Sequence, residues 1–267
     1  MKMQMPAKLE EALSSVNGVK KLNKVLKSLA IAWVCLLVVT PQLSARFLWF
    51  GEKKTEAEIK RQHLRGDLQS KDPVKKLKAI SEAGKSKDKK MVADLTKIIK
   101  NDKSIPARQE ACESLGKIGD NFAVSSLVSA LNSDETISVK IEAASALYEI
   151  KSDEAEGALK DALKKEKNKG VKLSLMKFLA AYKDKDTIGI FRKLSKDKDE
   201  DIRASAIYIL GEFGERDIVL KALKDRDEKV KEKAVDALGR MGETGELEKI
   251  KDKNLKKRAE IFLERKR

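Results

Sequence analysis

Apolar residues recur along most of this chain at the spacing of one helix face, and the pattern itself repeats. Aligning the chain at residues 75, 107, 139, 171, 202, 230 and 255 leaves spacings of 32, 32, 32, 31, 28 and 25 residues. Eight residues after these anchors stands a leucine in six of the seven units, and four residues after them stands an alanine in six. Positions four residues apart share one face of a helix, so each unit is predicted to begin with an amphipathic helix.

A second apolar segment follows the first helix in most units. Second helices are predicted over residues 91–99, 122–131, 155–163, 187–194 and 217–223. Glycines near the ends of four first helices are predicted to terminate them, because glycine readily takes the positive φ with which a chain leaves a helix. These glycines are Gly84, Gly116, Gly211 and Gly239, and three further glycines are predicted to lie in the turns, Gly119, Gly214 and Gly242. A single hairpin cannot bury its apolar face alone, so the hairpins are predicted to stack into a solenoid with a continuous core.

Two stretches show the repeat most fully, RQEACESLGKIGDNFAVSSLVSALNSD at 108–134 and IRASAIYILGEFGERDIVLKALKD at 202–225. They resemble the short HEAT repeats typified by phycobilisome lyases, and the resemblance covers residues 72–267. It implies first helices in an outer, convex layer, second helices lining the inner face, and a superhelical curve. The predicted fold is therefore all-α, a right-handed α-α superhelix of about six helical hairpins plus a terminal cap helix.

The segment ahead of the repeats, residues 46–71, is predicted to be a linker followed by an N-terminal cap helix. Thr55 and Glu58 stand at the spacing of a capping box, in which each side chain accepts a hydrogen bond from the other residue's backbone N–H. A helix at this place would cover the apolar end of the first hairpin, as terminal units of solenoids do.

The N-terminal region has the layout of a secretory signal. Residues 29–39 form an uncharged run after several lysines, and the small residue Ala45 offers a cleavage point. Residues 1–45 are therefore predicted to be a signal peptide, which places the protein in the periplasm or an equivalent extracytoplasmic space. The run is shorter than the roughly 20 residues of a membrane-spanning helix. Extended to Phe50, however, residues 29–50 would form an anchor in the inner membrane, and this alternative stays open.

The charge of the chain bears on its partners. Charged residues make up 38% of the sequence, aromatic residues 4%, and the net charge is +15. Residues 1–45 hold six lysines and two acidic residues, so most of the excess charge belongs to the remaining chain. Such a surface attracts anionic partners. Binding of nucleic acid or anionic lipid is therefore the alternative to binding of a protein, although export would exclude chromosomal DNA.

A basic residue follows every anchor, and an acidic residue tends to stand five residues before the next anchor. The acidic positions are Asp102, Asp134, Glu166, Asp197 and Asp225. The basic row could contact phosphates, or it could pair with the acid that ends the preceding repeat. Because the two rows recur together, the pairing is the favoured interpretation.

Few residues offer catalytic chemistry. His63 is the only histidine, so this chain alone supplies neither a His-dependent triad nor a zinc site of the usual kinds. Deoxyhypusine hydroxylase, a HEAT-repeat enzyme, holds two irons with repeated His–Glu pairs that this chain lacks. Cys112 occupies a position that is apolar in other units and is predicted to be an inert core thiol. We predict no catalytic residue, cofactor or metal, while an accessory role like that of a cofactor lyase stays an alternative.

One second helix stands out because it lacks charge. The segment FAVSSLVSAL at 122–131 contains no charged side chain, and an uncharged patch is where a partner can bury apolar area. Phe122, Ser125, Ser126 and Ser129 are predicted to form the dock, unless the cap helix covers them. Basic residues of later second helices are predicted to attract the partner, namely Arg192, Lys193, Lys221 and Lys224. The predicted function is a non-catalytic scaffold that binds a protein on its concave face.

Overall fold

The computed structural model describes residues 55–264. The predicted signal peptide at 1–45 and the alternative anchor at 29–50 lie outside these residues. Two compact units are distinguished, Met1–Ile59 and Lys60–Arg267. In the described part of the first unit the predicted capping box is present. The Thr55 N–H donates to Glu58 Oε2 over 2.9 Å, and the Glu58 N–H donates to Thr55 Oγ1 over 3.2 Å.

Every regular element within residues 55–264 is a helix. In chain order the α-helices are α1 (Glu56–Leu68), α2 (Pro73–Ser86), α3 (Val92–Asn101), α4 (Ile105–Ile118), α5 (Val124–Ser133), α6 (Ile137–Ile150), α7 (Asp153–Lys165), α8 (Lys169–Leu179), α9 (Lys185–Leu194), α10 (Glu200–Glu212), α11 (Arg216–Ala222), α12 (Glu228–Met241), α13 (Thr244–Glu248) and α14 (Lys253–Glu264). Short 3₁₀ turns at Lys89–Met91 and Asn121–Ala123 lead into α3 and α5. The all-α solenoid of six hairpins is confirmed.

The repeat register is confirmed at the start of every first helix. The helices α2, α4, α6, α8, α10, α12 and α14 each begin two residues before their anchor. Most of them start at a residue whose side chain accepts backbone N–H groups of the first turn, as Asp72, Ser104, Asn168, Asp199 and Asp227 do. Such caps satisfy N–H groups that have no partner within the helix. The chain therefore restarts a helix at a fixed place in each repeat.

The second helices α3, α5, α7, α9 and α11 overlap the predicted segments to within about two residues at each end. The sixth unit also has a second helix, the five-residue α13, which the sequence analysis did not predict. Its single buried residue is Leu247. A helix this short carries too few apolar positions to show a helical period.

The role predicted for four glycines is wrong. Gly84, Gly116, Gly211 and Gly239 lie inside first helices and do not end them. At each of them the next first helix comes so close that an added Cβ atom would collide with it. A Cβ atom on Gly84 would lie 2.8 Å from Ser114 Cα, and one on Gly211 would lie 2.6 Å from Ala237 Cβ. Glycine is required there by the approach of the next helix.

The chain leaves three of its first helices at the glycines that were predicted to lie in the turns. Gly119, Gly214 and Gly242 have φ values of 68°, 86° and 78°, in the left-handed region that suits glycine. In two hairpins a lysine takes this conformation instead, Lys87 with φ 52° and Lys151 with φ 55°. The turns between the two helices of each hairpin are accordingly short and tightly bent.

Buried apolar side chains form two clusters. One extends from Leu64 in α1 to Leu210 in α10. The other begins with Ala204, also in α10, and ends with Ala259 in α14. Because α10 contributes side chains to both clusters, it joins the two parts of the core. Within residues 55–264 no helix is long and apolar enough to cross a membrane.

Candidate functional site

A row of ion pairs, called the ladder below, runs along the repeats. Each pair joins the first helix of a hairpin to the end of the second helix of the same hairpin. In the first five repeats, the basic residue that follows the anchor pairs with the acidic residue that ends the same repeat. The pairs are Lys76–Asp102 at 2.7 Å, Arg108–Asp134 at 2.8 Å, Lys140–Glu166 and Lys172–Asp197 at 3.3 Å, and Arg203–Asp225 at 3.0 Å. The sixth unit departs from the pattern, since Lys231 pairs with Glu228 of its own helix at 2.7 Å.

The predicted partner of this row was the acid of the preceding repeat, and that detail is wrong. The two arginines contact the preceding repeat through its backbone. Arg108 donates to the Asp102 carbonyl over 3.0 Å, and Arg203 donates to the Asp197 carbonyl over 2.9 Å. The carboxylates that they bind are those at the end of their own repeat, because the acid that ends a repeat lies beside the start of that repeat's first helix.

Each acid of the ladder also holds the start of the next first helix. Asp102 accepts the Ser104 N–H over 2.9 Å, and Asp134 accepts the Thr136 N–H over 2.8 Å. Burial alone would raise the pKa of Asp102 and Asp134, but the hydrogen bonds from Lys76 or Arg108 and from the backbone outweigh it and hold both values below the ordinary one. The row of bases is thus occupied within the protein and is not a free phosphate-binding row.

Three of the four residues predicted to form a dock at α5 are exposed, and one is buried. Phe122 is 86% exposed, and Ser125 and Ser129 are also exposed. Ser126 is buried, which contradicts its predicted place on the surface. The reason is helical spacing, since Ser126 lies three residues after Ala123 and four before Ala130, and both of these alanines are buried. An arginine at this position would meet the core instead of a partner.

The surface beside Ser125 forms a groove between α5 and α7. Its volume is about 430 Å³, and small or apolar side chains dominate its floor. Val124, Ser125 and Val128 contribute from α5, and Ala158 and Ala162 from α7. Charged residues line only the α7 side, where they are Glu154, Asp161 and Lys165. The arrangement offers an apolar floor with polar edges, which suits a segment of another macromolecule.

The four basic residues predicted to attract a partner differ in whether they form an ion pair within the protein. Arg192 makes a bidentate ion pair with Glu215, with distances of 2.9 Å and 2.8 Å. Lys193, Lys221 and Lys224 are exposed and have no ion pair among residues 55–264. A charge held by an intramolecular partner attracts a ligand less strongly than a free one, so the three lysines are the better candidates.

The two side chains considered above for catalytic chemistry, Cys112 and His63, lie in different surroundings. Cys112 is fully buried, and this burial, aided by the nearby carboxylates Glu142 and Asp134, raises the pKa of its thiol to about 12. His63 is exposed and lies 3.4 Å from Asp67. In residues 55–264 no group of three or more histidine, cysteine and acidic side chains is arranged to hold a metal ion.

Sequence reasoning missed a feature on the first helices. Tyr208 lies six residues after its anchor, a position that faces outward from the first helices and holds a polar side chain in most other units. It lines two neighbouring pockets of about 650 Å³ and 480 Å³. The sequence indicated this feature by placing an aromatic residue six residues after the anchor, where most other units have a polar one.

Comparison with known proteins concerns the fold. The family model for HEAT repeats matches residues 62–148, 124–202 and 189–260. No match emerges among curated proteins. Among solved structures, the chain is similar to the CpcE–CpcF complex of phycocyanin lyase from Nostoc sp. PCC7120, with 20% identity, a TM-score of 0.46, and coverage of 76% of this chain and 86% of that one.

Two further structures have comparable likeness. YibA of Escherichia coli shows 18% identity and a TM-score of 0.49, over 70% of this chain and 75% of that one. Human deoxyhypusine hydroxylase in complex with glycerol shows 17% identity and a TM-score of 0.34, over 91% of this chain and 98% of that one. These identities and TM-scores are too low to carry an activity from those proteins to this one.

Proposed function

Because this chain belongs to the HEAT-repeat family, we propose that it is a non-catalytic scaffold that binds a partner protein on α5 and α7 after export. A repeat fold does not by itself specify a ligand. The proposal therefore rests on the chemistry of this surface.

The exposed ring of Phe122 carries the proposal. It is 86% exposed, the largest exposure among the large apolar side chains of residues 55–264. Aromatic side chains are enriched among the residues that contribute most to protein binding, because they bury a large area at little conformational cost. Phe122 immediately precedes a helix without charged residues. A partner can therefore cover this helix without removing a charge from water.

Electrostatic attraction is the proposed role of the free lysines. Lys193, Lys221 and Lys224 are exposed and unpaired among the described residues, and the whole chain carries a net charge of +15. Such charges raise the rate at which an acidic partner arrives more than they raise the final affinity. Reversing them should slow association and reduce its dependence on salt.

Binding of nucleic acid or anionic lipid has less support. The most regular row of basic residues is held in ion pairs of the ladder. Contacts to phosphates would have to replace these pairs or use the scattered lysines outside them. A protein partner fits an uncharged helix beside an exposed aromatic ring better than a polyanion does.

The test begins by recovering a partner with the full-length chain as bait from envelope fractions. Its affinity is then measured for Ser125→Arg and Ser129→Arg, and for the triple charge reversal Lys193→Glu, Lys221→Glu and Lys224→Glu. The arginine variants should weaken binding at least about tenfold. Val74→Arg, at a residue of α2 that is 73% exposed, is the matched control and should bind normally. Unchanged affinity in all variants, at low and physiological salt, would refute the proposal.

A further inference from the structure

A second groove lies on the other layer, between first helices of the later repeats. In four hairpins a glycine stands nine residues after the anchor and lets the next first helix approach closely. At this position α6 instead carries Tyr148, whose ring stacks on Phe178 of α8 with centroids 5.5 Å apart. The corresponding residue of the next unit is Ala180, directly after the end of α8. A groove of about 650 Å³ opens here, and its apolar lining includes Leu173, Ala180 and Ile209.

Tyr208 forms the ridge between this groove and a second one toward the C-terminal helix. The second groove has a volume of about 480 Å³ and is lined on its far side by Ile261 and Phe262 of α14. Two cations lie against the Tyr208 ring, Lys233 Nζ at 5.9 Å and Arg240 Cζ at 5.0 Å from its centroid. The two grooves share Tyr208 and Lys233, so they form one surface across α8, α10, α12 and α14. We name it the Tyr208 groove.

The charge of the Tyr208 groove is positive. Five basic side chains line it, Lys177, Lys229, Lys233, Arg240 and Arg258. Its two carboxylates are already paired, Asp201 with Lys169 and Lys229, and Asp236 with Arg258 and Lys233. Lys177 is exposed and has no ion pair among the described residues. Arg240 and Arg258 also pair with Glu212 and Glu232. The five lining cations therefore exceed the two lining carboxylates, and among them Lys177 is the one without an ion pair among the described residues.

We propose that the Tyr208 groove binds an acidic amphipathic helix of a partner protein. An amphipathic helix fills an elongated groove with side chains spaced three and four residues apart. Its apolar face would cover Leu173, Ala180 and the Tyr208 ring, while its carboxylates would meet the lysines and arginines at the edge. This site is independent of the α5–α7 surface, and either can fail without the other.

The experiment uses the full-length chain and two labelled synthetic peptides, followed by fluorescence anisotropy. The acidic peptide is a helix with leucines three and four residues apart and glutamates elsewhere, and the control peptide has lysines in place of the glutamates. The acidic peptide should bind and weaken with added salt, whereas the basic peptide should not bind. Equal binding of the two peptides, or no binding of the acidic one, overturns the proposal.

Substitutions in the Tyr208 groove test whether the acidic peptide binds there. Tyr208→Ala and the pair Lys177→Glu with Lys233→Glu should each weaken the acidic peptide at least about tenfold, whereas Tyr208→Phe should retain binding because it keeps the ring. The pair Lys85→Glu with Lys100→Glu makes the same charge change at exposed residues elsewhere and should have little effect. Circular dichroism melting verifies that the variants are folded. Unchanged binding in the folded groove variants overturns the assignment.

A second copy of the chain is the competing occupant. The first helices α4 and α6 carry Glu110, Glu113, Glu142 and Glu149 close together, and burial followed by their mutual repulsion raises the pKa of Glu142. Sedimentation of the full-length chain distinguishes the two cases. A monomer that binds the acidic peptide supports the proposal. Self-association that Lys177→Glu with Lys233→Glu abolishes, together with displacement of the peptide by the chain itself, would assign the groove to a second copy and overturn it.

Discussion

Residues with almost no side chain make close contacts between neighbouring repeats. Gly84 faces Ser114, Gly116 faces Ala146, and Gly211 faces Ala237. The buried Ser114 hydroxyl donates to the Ile80 carbonyl over 2.9 Å, so the close approach also satisfies a polar group away from water. Packing of helix backbone against helix backbone leaves no room for even one added methyl group.

Gly84→Ala should therefore destabilise the protein by about 1 to 3 kcal/mol, because its Cβ would overlap Ser114 and the helices would have to move apart. Gly157→Ala is the matched control. It lies inside α7 with no atom within 4 Å of the added Cβ, so the higher helix propensity of alanine should stabilise it by up to about 1 kcal/mol. Urea unfolding measures both. A stabilised Gly84→Ala would contradict the close-packing role.

These contacts show a limit of reasoning from the sequence. The glycine pattern was visible, but the same residue type ends helices and permits helix packing, and a single chain does not say which role applies. Ser126 illustrates a similar ambiguity, because a small polar residue suits a core alanine position as well as a surface. Phe122 was placed on the surface by its helix face, and there the spacing sufficed.

At the scale of elements, the anchors predicted each first helix because several signals coincide there. A capping side chain, an apolar period and a buried leucine eight residues on all specify the same helix. The second helices were predicted where they are long enough to show a period. The five-residue α13 and the ion-pair partners were not, because they depend on how hairpins stack in space.

Leu210→Ala and Leu238→Ala should each cost about 2 to 5 kcal/mol, because both side chains are fully buried and their loss leaves a cavity between helices. Val74→Ala, at the 73% exposed residue of α2, should change stability by no more than about 0.5 kcal/mol. Chemical denaturation of the three variants gives the comparison. If both leucine variants unfold like the parent chain, the repeat register is wrong.

At the scale of the whole molecule, each acid of the ladder pairs with a base of its own hairpin and accepts a backbone N–H at the start of the next one, so it links the first five hairpins to their following neighbours. The ladder acids Asp102, Asp134, Glu166 and Asp225 have lowered pKa values, because hydrogen bonds from the paired bases and the backbone outweigh the effect of burial. A carboxyl group whose pKa is lower in the folded state contributes stability above its unfolded pKa and loses it as the pH falls toward the folded value.

The stability of the solenoid should therefore be nearly constant above about pH 5 and should decline below about pH 4, where the unfolded state binds more protons than the folded one. Asp134→Asn removes one contribution, so it should lower stability at neutral pH and make the acid decline shallower. Asp217→Asn, at a highly exposed side chain, should leave the curve unchanged. Urea midpoints between about pH 3 and pH 7 measure this. Parallel curves for Asp134→Asn and the parent chain would contradict the coupling.

The proposed export predicts the mature N-terminus. Cleavage after Ala45 would leave Arg46 as the first residue, because the small residue ends a polar stretch just after the apolar run. Intact mass and N-terminal sequencing of the protein from its native source give the answer. Retention of residues 29–45 would instead support the membrane anchor.

Protection of Phe122 in the complex with its partner tests the central claim most directly. Hydroxyl-radical footprinting labels exposed side chains, and Phe122 at 86% exposure and Val74 at 73% are both accessible in the free chain. If a partner protein binds on α5 and α7, labelling of Phe122 should fall strongly on binding while labelling of Val74 stays the same. Unchanged labelling of Phe122 in a saturated complex would contradict the claim that this surface is where the scaffold binds.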